Sequence, residues 1–507
     1  MFRRPRDNLV QVPESNGQDT DIVSASDEIP ADFDEDVYLQ LNPDVYSGIE
    51  IGVVESGAEH WRRYGQSEHR LYKHACPTRD DFDEAGYLQL NPDVAYSLRA
   101  GGFRSGYDHW IQFGRTEGRI GGSWKTEATR PPKQVKSANL NPNIACFGFH
   151  SLSTGLGNAA RSYQRAFESA GLRVEPIDVP AWHKNPMAQG ILPPGEIPRH
   201  AINLIHQNGD MLPLFCHWLG SEALEDAYNI GAWVWEIPTV HPVSYAASRL
   251  LDEIWAPSEF CRHAFSPVSA VPVIRIPYAI FDKPGIPDNP RTFFNVSENL
   301  FVFLYVFDLG STMERKNPLA LVRAFRHAFG DSQDALLILK YWNSDSASHD
   351  REIQLLERQS SGANIRLLGD TLSEEAMSSL YRVADCFVSP HRAEGFGLNI
   401  AQSMYFGKPV IATGYSGNTD FTRADNSYLV EFALTSLPYT TGPYAQNGVW
   451  AEPSISHLAH LLKHVYHHRD EAAAKGRKGM ELMRSDFSPE SVGRQIRHRL
   501  EAAGLLR

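Results

Sequence analysis

A short stretch of the sequence combines a carboxylate, two closely spaced glycines and the predicted start of a helix. Residues 386–420 read CFVSPHRAEGFGLNIAQSMYFGKPVIATGYSGNTD. Gly395 and Gly397 let the backbone approach a ligand closely, and the free amides that begin a helix favour an anion such as phosphate. Glu394 directly precedes these amides. Gln402 follows in the helix, where its amide can hydrogen-bond a pair of hydroxyl groups.

The elements that must position this loop alternate between strand and helix. Cys386 to Ser389 is a short apolar run typical of a buried strand, and Leu398 to Phe406 has helical spacing. Gly407 is a helix stop, and Val410 to Thr413 is the next apolar strand. This order indicates one unit of a nucleotide-binding α/β domain.

Two basic residues follow another predicted strand. Leu300 to Phe307 (LFVFLYVF) is an apolar run of the length of a fully buried parallel strand. Arg315 and Lys316 come after it, directly before a helix that begins at Asn317-Pro318. Because the carboxyl ends of parallel strands meet at one edge of a sheet, we expect both cations to face the same cleft as the glycine loop.

The earlier part of the α/β region repeats this organisation. A strand from Ile144 to Phe149 leads to a loop with Gly155, Gly157 and Asn158, and a helix from Ala159 to Ala170 follows. The glycine pair alone does not distinguish a tight turn from a ligand-binding loop.

Glu236 is the candidate for contact with a second substrate. It ends a predicted aromatic strand, Gly231 to Glu236 (GAWVWE), where strand ends meet the cleft in open α/β sheets. The alternative is a surface or capping carboxylate. Leu250 to Ala256 is the predicted last strand of this domain.

The loop at residue 394 resembles the donor site of retaining GT-B glycosyltransferases of family 4. That signature is a Glu, seven residues and a second Glu, with Gly-Phe-Gly-Leu after the first. The residues that match its first part are Glu394, Gly395, Phe396, Gly397 and Leu398. Gln402 replaces the second Glu. The resemblance covers residues 143–503 and implies an α/β protein with the GT-B architecture of two Rossmann-like domains.

The resemblance also implies roles for the site residues. Lys316, helped by Arg315, would neutralise the diphosphate of a nucleotide sugar, because the Arg usual about six residues earlier is absent near Gly310 and Ser311. The expected catalytic residues are Glu394, Lys316 and Glu236. Further donor-site candidates are His391, Asn418 and Gln402, the last at the ribose position, and Gly155, Gly157 and Asn158 would line the cleft from the N-terminal domain.

An internal repeat precedes the α/β region. FDEDVYLQLNPDV from Phe33 and FDEAGYLQLNPDV from Phe82 align at an offset of 49 residues, as do HWRRYG and HWIQFG further on. We expect two small helical units whose aromatic residues pack together. Binding of a glycan or a partner through these aromatic residues is the alternative.

The expected organisation follows the chain in order. It consists of a disordered acidic tail (1–31), two helical repeats (32–122), a linker (123–142), an N-terminal Rossmann-like acceptor domain (143–285), a C-terminal Rossmann-like donor domain (286–485) and a C-terminal helix that crosses back (486–507).

Composition excludes several classes of protein. A net charge of −13 argues against a nucleic-acid partner, and no apolar run reaches the length of a membrane span. The five cysteines are scattered without CxxC spacing, which favours buried thiols in a reducing compartment. The His-rich stretch 464–468 lacks a carboxylate constellation, and Asp-x-Asp is absent from the α/β region, so no metal and no cofactor are expected.

The resemblance implies a glycosyltransferase that moves a hexose from a nucleoside diphosphate sugar to a glycan or lipid-linked acceptor in polysaccharide or cell-surface glycan biosynthesis. Resemblance to mannosyltransferase-like members favours GDP-mannose. A cytoplasmic location, with peripheral association at the inner face of the membrane, is expected. The alternative is a non-catalytic GT-B protein that binds a nucleotide sugar or a glycan.

Overall fold

The computed structural model describes residues 141–506, except 153, 181–190, 221–222, 241–242, 283–288, 343–348, 438–443 and 445–447, and short pieces between residues 29 and 110. The chain forms two compact units, residues 1–76 and 77–507. Most of the predicted tail and nearly all of the predicted linker lie outside the described residues.

The strands of the described residues fall into three sheets. They are β1 (Asn141–Gly148), β2 (Val174–Asp178), β3 (His200–Ile205), β4 (Tyr228–Ala232), β5 (Glu253–Ala256), β6 (Val273–Arg275), β7 (Phe301–Asp308), β8 (Ala335–Trp342), β9 (Ile365–Leu368), β10 (Cys386–Ser389), β11 (Val410–Thr413), β12 (Tyr428–Val430), β13 (Phe432–Ser436) and β14 (Val449–Pro453).

The helices of the described residues lie mainly between these strands. They are α1 (Gly57–His60), α2 (Gly106–His109), α3 (Gly155–Ser169), α4 (Leu212–Leu219), α5 (Val243–Ser248), α6 (Glu259–Phe265), α7 (Pro290–Phe293), α8 (Met313–Lys316), α9 (Pro318–Phe329), α10 (Asp350–Ser360), α11 (Glu374–Val383), α12 (Leu398–Tyr405), α13 (Ile455–His467), α14 (Arg469–Asp486) and α15 (Pro489–Ala502).

Two six-stranded parallel sheets form the body of the larger unit. The first has the order β2-β1-β3-β4-β5-β6 and the second β12-β11-β10-β7-β8-β9, while β13 and β14 form an antiparallel hairpin. The central strands are almost wholly apolar because helices cover both faces of such sheets. The protein is therefore an α/β protein with two Rossmann-like domains, as the sequence predicts.

The C-terminal helix α15 returns to the first domain. Its apolar residues Val492, Ile496 and Leu500 are buried, and it packs against α3. Arg499 of α15 forms an ion pair with the buried Glu253 of β5. This contact joins the end of the chain to the first sheet.

Two predicted strand positions in the first domain are wrong. The aromatic strand was placed at 231–236, whereas β4 is Tyr228–Ala232 and the following residues, with Trp233 buried, form a loop. The apolar side chains of this loop reflect its burial rather than strand structure. The last strand of the first sheet is the three-residue β6, not the segment at 250–256. Strands β12 to β14 were not predicted.

Each repeat contains the same two contacts, of which the second is buried. In the first, the Glu35 carboxylate accepts hydrogen bonds from the backbone amides of Gly57 and Ala58, and the Tyr38 hydroxyl lies 2.8 Å from His60 Nδ1. In the second, Glu84 accepts from Gly106 and Tyr107, and Tyr87 lies 2.8 Å from His109 Nδ1. Residues that match at the offset of 49 therefore make the same local packing contacts within each repeat.

Candidate active site

A cavity of about 500 Å³ lies between the two Rossmann-like domains. The first domain lines it with the loop after β1, the start of α3 and residues 278–281. The second domain lines it with the carboxyl ends of β7 and β8, with α8 and α11, and with residues 394–402. A cleft at the carboxyl ends of parallel strands is the usual ligand site of such folds.

Glu394 and Lys316 form an ion pair at the wall of this cavity. Lys316 Nζ donates to Glu394 Oε1 at 2.5 Å, and Arg315 Nη1 lies 3.6 Å from Glu394 Oε2. Both partners of the pair are mostly buried, with side chains 12% and 14% exposed. The two sequence-predicted charges are thus brought together, and they largely neutralise each other.

The two groups shift each other's proton affinity. Burial raises the pKa of Glu394, but Lys316 and Arg315 outweigh it and bring that pKa down to about 2. Burial lowers the pKa of Lys316, and Arg315 lowers it further, against the opposing effect of Glu394. Glu394 is therefore an ionised carboxylate at neutral pH and has no proton to donate.

Arg315 lies deeper than expected. Its side chain is buried, where Nη1 donates to the Ala393 carbonyl at 2.9 Å and Nη2 lies 3.5 Å from Glu236 Oε1. We expected a cation exposed to the diphosphate. The structure instead shows a guanidinium that ties the glycine loop to the first domain, because Glu236 belongs to the segment after β4.

Two side chains of the second domain hold Glu236 of the first domain. Besides Arg315, the hydroxyl of Tyr444 donates to Glu236 Oε2 at 2.9 Å, and the Tyr444 ring packs edge-on against Trp235. Glu236 also lines the cavity. Tyr444 comes from the segment between β13 and β14, which sequence analysis did not assign to any element.

The glycine loop is held tightly against the first domain. Gly397 has a φ of +93° at the start of α12, a conformation that L side chains rarely adopt. A Cβ at Gly395 would lie 2.3 Å from Val234 Cγ2, and Ser258 Oγ donates to the Gly395 carbonyl at 2.6 Å. The close approach inferred from the sequence is therefore between the two domains as well as toward the cavity. Phe396 and Leu398 line the cavity beside these glycines.

His391 and Asn418 do not line the cavity. Both side chains are fully buried, and His391 Nε2 lies 3.0 Å from Asn418 Oδ1. Asn418 Nδ2 donates to the Thr413 carbonyl, and His391 Nδ1 lies 2.9 Å from Ser389 Oγ. Burial lowers the pKa of His391. These two donor-site candidates support the loop from behind, since neither faces the ligand space.

Gln402 lines the cavity and is also tied to the first domain. Its Nε2 donates to the Phe281 carbonyl at 3.2 Å. A carbonyl oxygen only accepts, so the amide must present its nitrogen there, which leaves Oε1 available to a ligand. A Glu at this position would lack the donor.

The three candidate residues of the first-domain loop differ in whether they line the cavity. Gly155 and Asn158 line the cavity, whereas Gly157 lies in the turn beneath it, where a Cβ would be 2.1 Å from the Leu152 carbonyl oxygen. Thr154 Oγ1 accepts from the Gly157 amide as the N-cap of α3. Gly157 is thus required by the turn rather than by a ligand.

Sequence analysis missed several charged residues of the cavity. Arg161 of α3 forms an ion pair with Glu374 of α11 at 3.2 Å across the cleft. Lys340, at the carboxyl end of β8, and Asp308, at that of β7, also line the cavity. Lys340 ends the apolar run ALLILK. A charged residue at the end of a buried strand is a signal from which the sequence could have predicted its place in the cavity.

The described residues offer no obvious metal centre. Among them, no group of three or more His, Cys, Asp or Glu side chains is arranged to hold a metal ion. In the same part of the chain, no helix is both long and apolar enough to cross a membrane.

Comparison with known proteins identifies the fold. Residues 302–434 match the family model described as glycosyl transferases group 1. Sucrose-phosphate synthase from Thermosynechococcus elongatus is similar in structure, with a TM-score of 0.53 and 18% identity over 72% of this chain and 100% of that chain. HepE from Anabaena, in complex with UDP and glucose, gives a TM-score of 0.50 and 15% identity over 71% and 100%. No curated protein matches the chain.

These similarities, with the two parallel sheets and the cleft between them, define a GT-B fold. Within it, the segment from β7 to β13 is the part that matches the glycosyl transferases group 1 model, and it contains both Lys316 and Glu394.

Proposed function

We propose that the protein is a glycosyltransferase that takes its sugar from a nucleoside diphosphate sugar. One observation carries the proposal: the Glu394–Lys316 pair and the N-terminus of α12 open together into the cavity between the two domains. The match of residues 302–434 to the glycosyl transferases group 1 model supports it.

The donor would bind against the second domain. Its diphosphate would lie at the amides of Gly397 and Leu398, where the helix N-terminus favours negative charge. Lys316 would stabilise the charge that develops as the sugar–phosphate bond breaks. These groups would act without a metal ion, because the protein supplies both the cation and the aligned amides.

Glu394 would act on the sugar. A carboxylate that remains ionised at neutral pH can accept hydrogen bonds from sugar hydroxyls and stabilise positive charge near the anomeric carbon. The family resemblance favours retention of configuration, in which the acceptor hydroxyl attacks the face that the diphosphate leaves. Glu236, which shares Arg315 with Glu394, would contact the acceptor.

The finer substrate assignment also belongs to this proposal. We infer a hexose as the transferred sugar and a glycan or lipid-linked acceptor, with peripheral attachment to a membrane where the acceptor is a lipid. The sequence resemblance favours GDP-mannose, whereas the HepE complex contains UDP and glucose. The experiment below therefore includes both UDP- and GDP-sugars.

The test uses the purified full-length chain with a panel of UDP- and GDP-sugars. Wild-type protein should be thermally stabilised by one nucleotide family and should release the nucleoside diphosphate when acceptor is present. Glu394→Ala and Lys316→Ala should each lower turnover at least tenfold. The exposed Glu168→Ala variant is the matched control and should keep wild-type turnover.

A second candidate function is binding without catalysis. Its supporting observation is that Gln402 replaces a carboxylate and is engaged at Phe281. In that case the wild-type chain would bind nucleotide sugars, but turnover would equal that of Glu394→Ala.

A further inference from the structure

The cations around the cavity differ in whether a carboxylate neutralises them. Four line it in the described part of the chain: Arg161, Arg315, Lys316 and Lys340. The first three each have a carboxylate oxygen within 4 Å. Among the described residues, no carboxylate oxygen lies within that distance of Lys340. Its ammonium group instead donates to the Tyr341 carbonyl at 2.6 Å.

Lys340 is also buried, with a residue exposure of 3%. An ammonium group removed from water without a counter-ion is costly for a fold to keep. Burial lowers the pKa of Lys340 to about 8, and the carboxylates of Asp370 after β9 and Asp308 on β7 act from a distance to raise it. Since one backbone carbonyl takes only one of its three N–H groups, two remain for a ligand.

The position of Lys340 places this cation near the anion-favouring helix. In the β7–β8 register, Lys340 is opposite Val306. The Val306 carbonyl accepts a hydrogen bond from Asn399 Nδ2 in the first turn of α12. Lys340 is therefore one strand away from the N-terminus of that helix, at a strand spacing of about 4.8 Å.

In the described part of the chain, the other cations that line the cavity are each offset by a carboxylate. Arg315 and Lys316 are matched by Glu236 and Glu394. A bound diphosphate would bring further negative charge to this balanced group. A cation of the cavity wall that no carboxylate offsets would balance part of this added charge.

We propose that Lys340 is a phosphate-binding residue that donates to a diphosphate oxygen of the nucleotide. It thereby supplies a positive charge that no carboxylate oxygen within 4 Å offsets in the described part of the chain. This inference rests on the proposed function, because it assumes that the cavity binds a nucleoside diphosphate.

The test compares nucleotides with nucleosides by calorimetric titration of the full-length chain. The ligands are UDP, GDP, uridine and guanosine, and the variant is Lys340→Met, which keeps the length of the side chain without its charge. We expect the diphosphate that binds wild-type protein to bind the variant at least tenfold more weakly. Affinity for the matching nucleoside should change less than twofold.

The matched control is Lys408→Met. Lys408 is a partly buried lysine of the same domain that donates to the Arg382 carbonyl outside the cavity, and burial likewise lowers its pKa. This control should bind the diphosphate as wild type does. Lys340→Arg, which keeps the charge, should recover at least part of the lost affinity.

The outcomes separate the inference from the proposed function. Equal diphosphate affinity of Lys340→Met and wild type overturns the inference alone, and so does an equal loss for nucleoside and diphosphate. Lys340→Met should also unfold at the same or a higher temperature, because it removes a buried charge; a lower temperature with weaker binding of every ligand shows a structural role. Absence of nucleotide binding by wild type overturns the proposed function and the inference with it.

Discussion

The Glu394–Lys316 pair should behave as one energetic unit, which a double-mutant cycle can measure. The pKa of Glu394 falls from 4.5 to about 2 in the folded protein, which corresponds to about 3 kcal/mol of stabilisation of the carboxylate. Because the folded pKa is the lower one, this contribution is present above pH 4.5 and is lost as the pH falls toward 2. At pH 7 it is fully present.

Glu394→Gln should therefore lower the free energy of unfolding by about 3 kcal/mol at pH 7. Lys316→Met should cost a similar amount, because it leaves Glu394 with only the more distant Arg315. The double variant should lose much less than both together, since no unpaired charge remains at this position. We expect a coupling energy of at least about 2 kcal/mol.

The assay is guanidinium unfolding of the four proteins followed by tryptophan fluorescence. The control is Glu168→Gln, which removes an ion pair with Arg165 whose two side chains are 61% and 39% exposed. Such a surface pair should contribute less than about 1 kcal/mol. Losses that add within about 0.5 kcal/mol would refute the coupling, and with it the view that the two charges hold each other in the site.

Three further predictions concern Gln402, the unit of residues 1–76 and Lys340. Gln402→Glu should lower the free energy of unfolding by about 1 kcal/mol, because a carboxylate cannot donate to the Phe281 carbonyl; an unchanged denaturation midpoint would contradict this. Removal of residues 1–76, a separate compact unit, should leave turnover of a small acceptor within twofold, and a tenfold loss would show that the unit is part of the enzyme. Diphosphate affinity should fall above pH 8 as Lys340 loses its proton, but should stay constant between pH 7 and 9 in Lys340→Arg; a fall in both would assign the titration elsewhere.

The sequence predicts the strands and the helix around the glycine loop well. Cys386–Ser389 and Val410–Thr413 are strands as expected, and the helix between them begins at Leu398. These predictions succeed because short apolar runs bounded by glycine and proline are local signals. The same logic places Lys316 and Glu394 at neighbouring strand ends, and the structure brings their charged groups into contact.

The remaining features depend on contacts between distant parts of the chain. Arg315 faces inward because it forms an ion pair with Glu236 of the other domain. His391 and Asn418 are buried against each other, and adjacent sequence carries no sign of that contact. Lys340 is hidden at the end of an apolar strand, so its place in the cavity appears only once β8 is packed beside β7.

Turnover of nucleotide sugars by the purified full-length chain tests the central claim most directly. In an assay of nucleoside diphosphate release over a panel of UDP- and GDP-sugars, we expect one donor to be consumed by wild-type protein, with at least a tenfold lower rate for Glu394→Ala. Equal rates for the two proteins, or neither binding nor release with any donor of the panel, would contradict the assignment of this cavity as a glycosyl-transfer site.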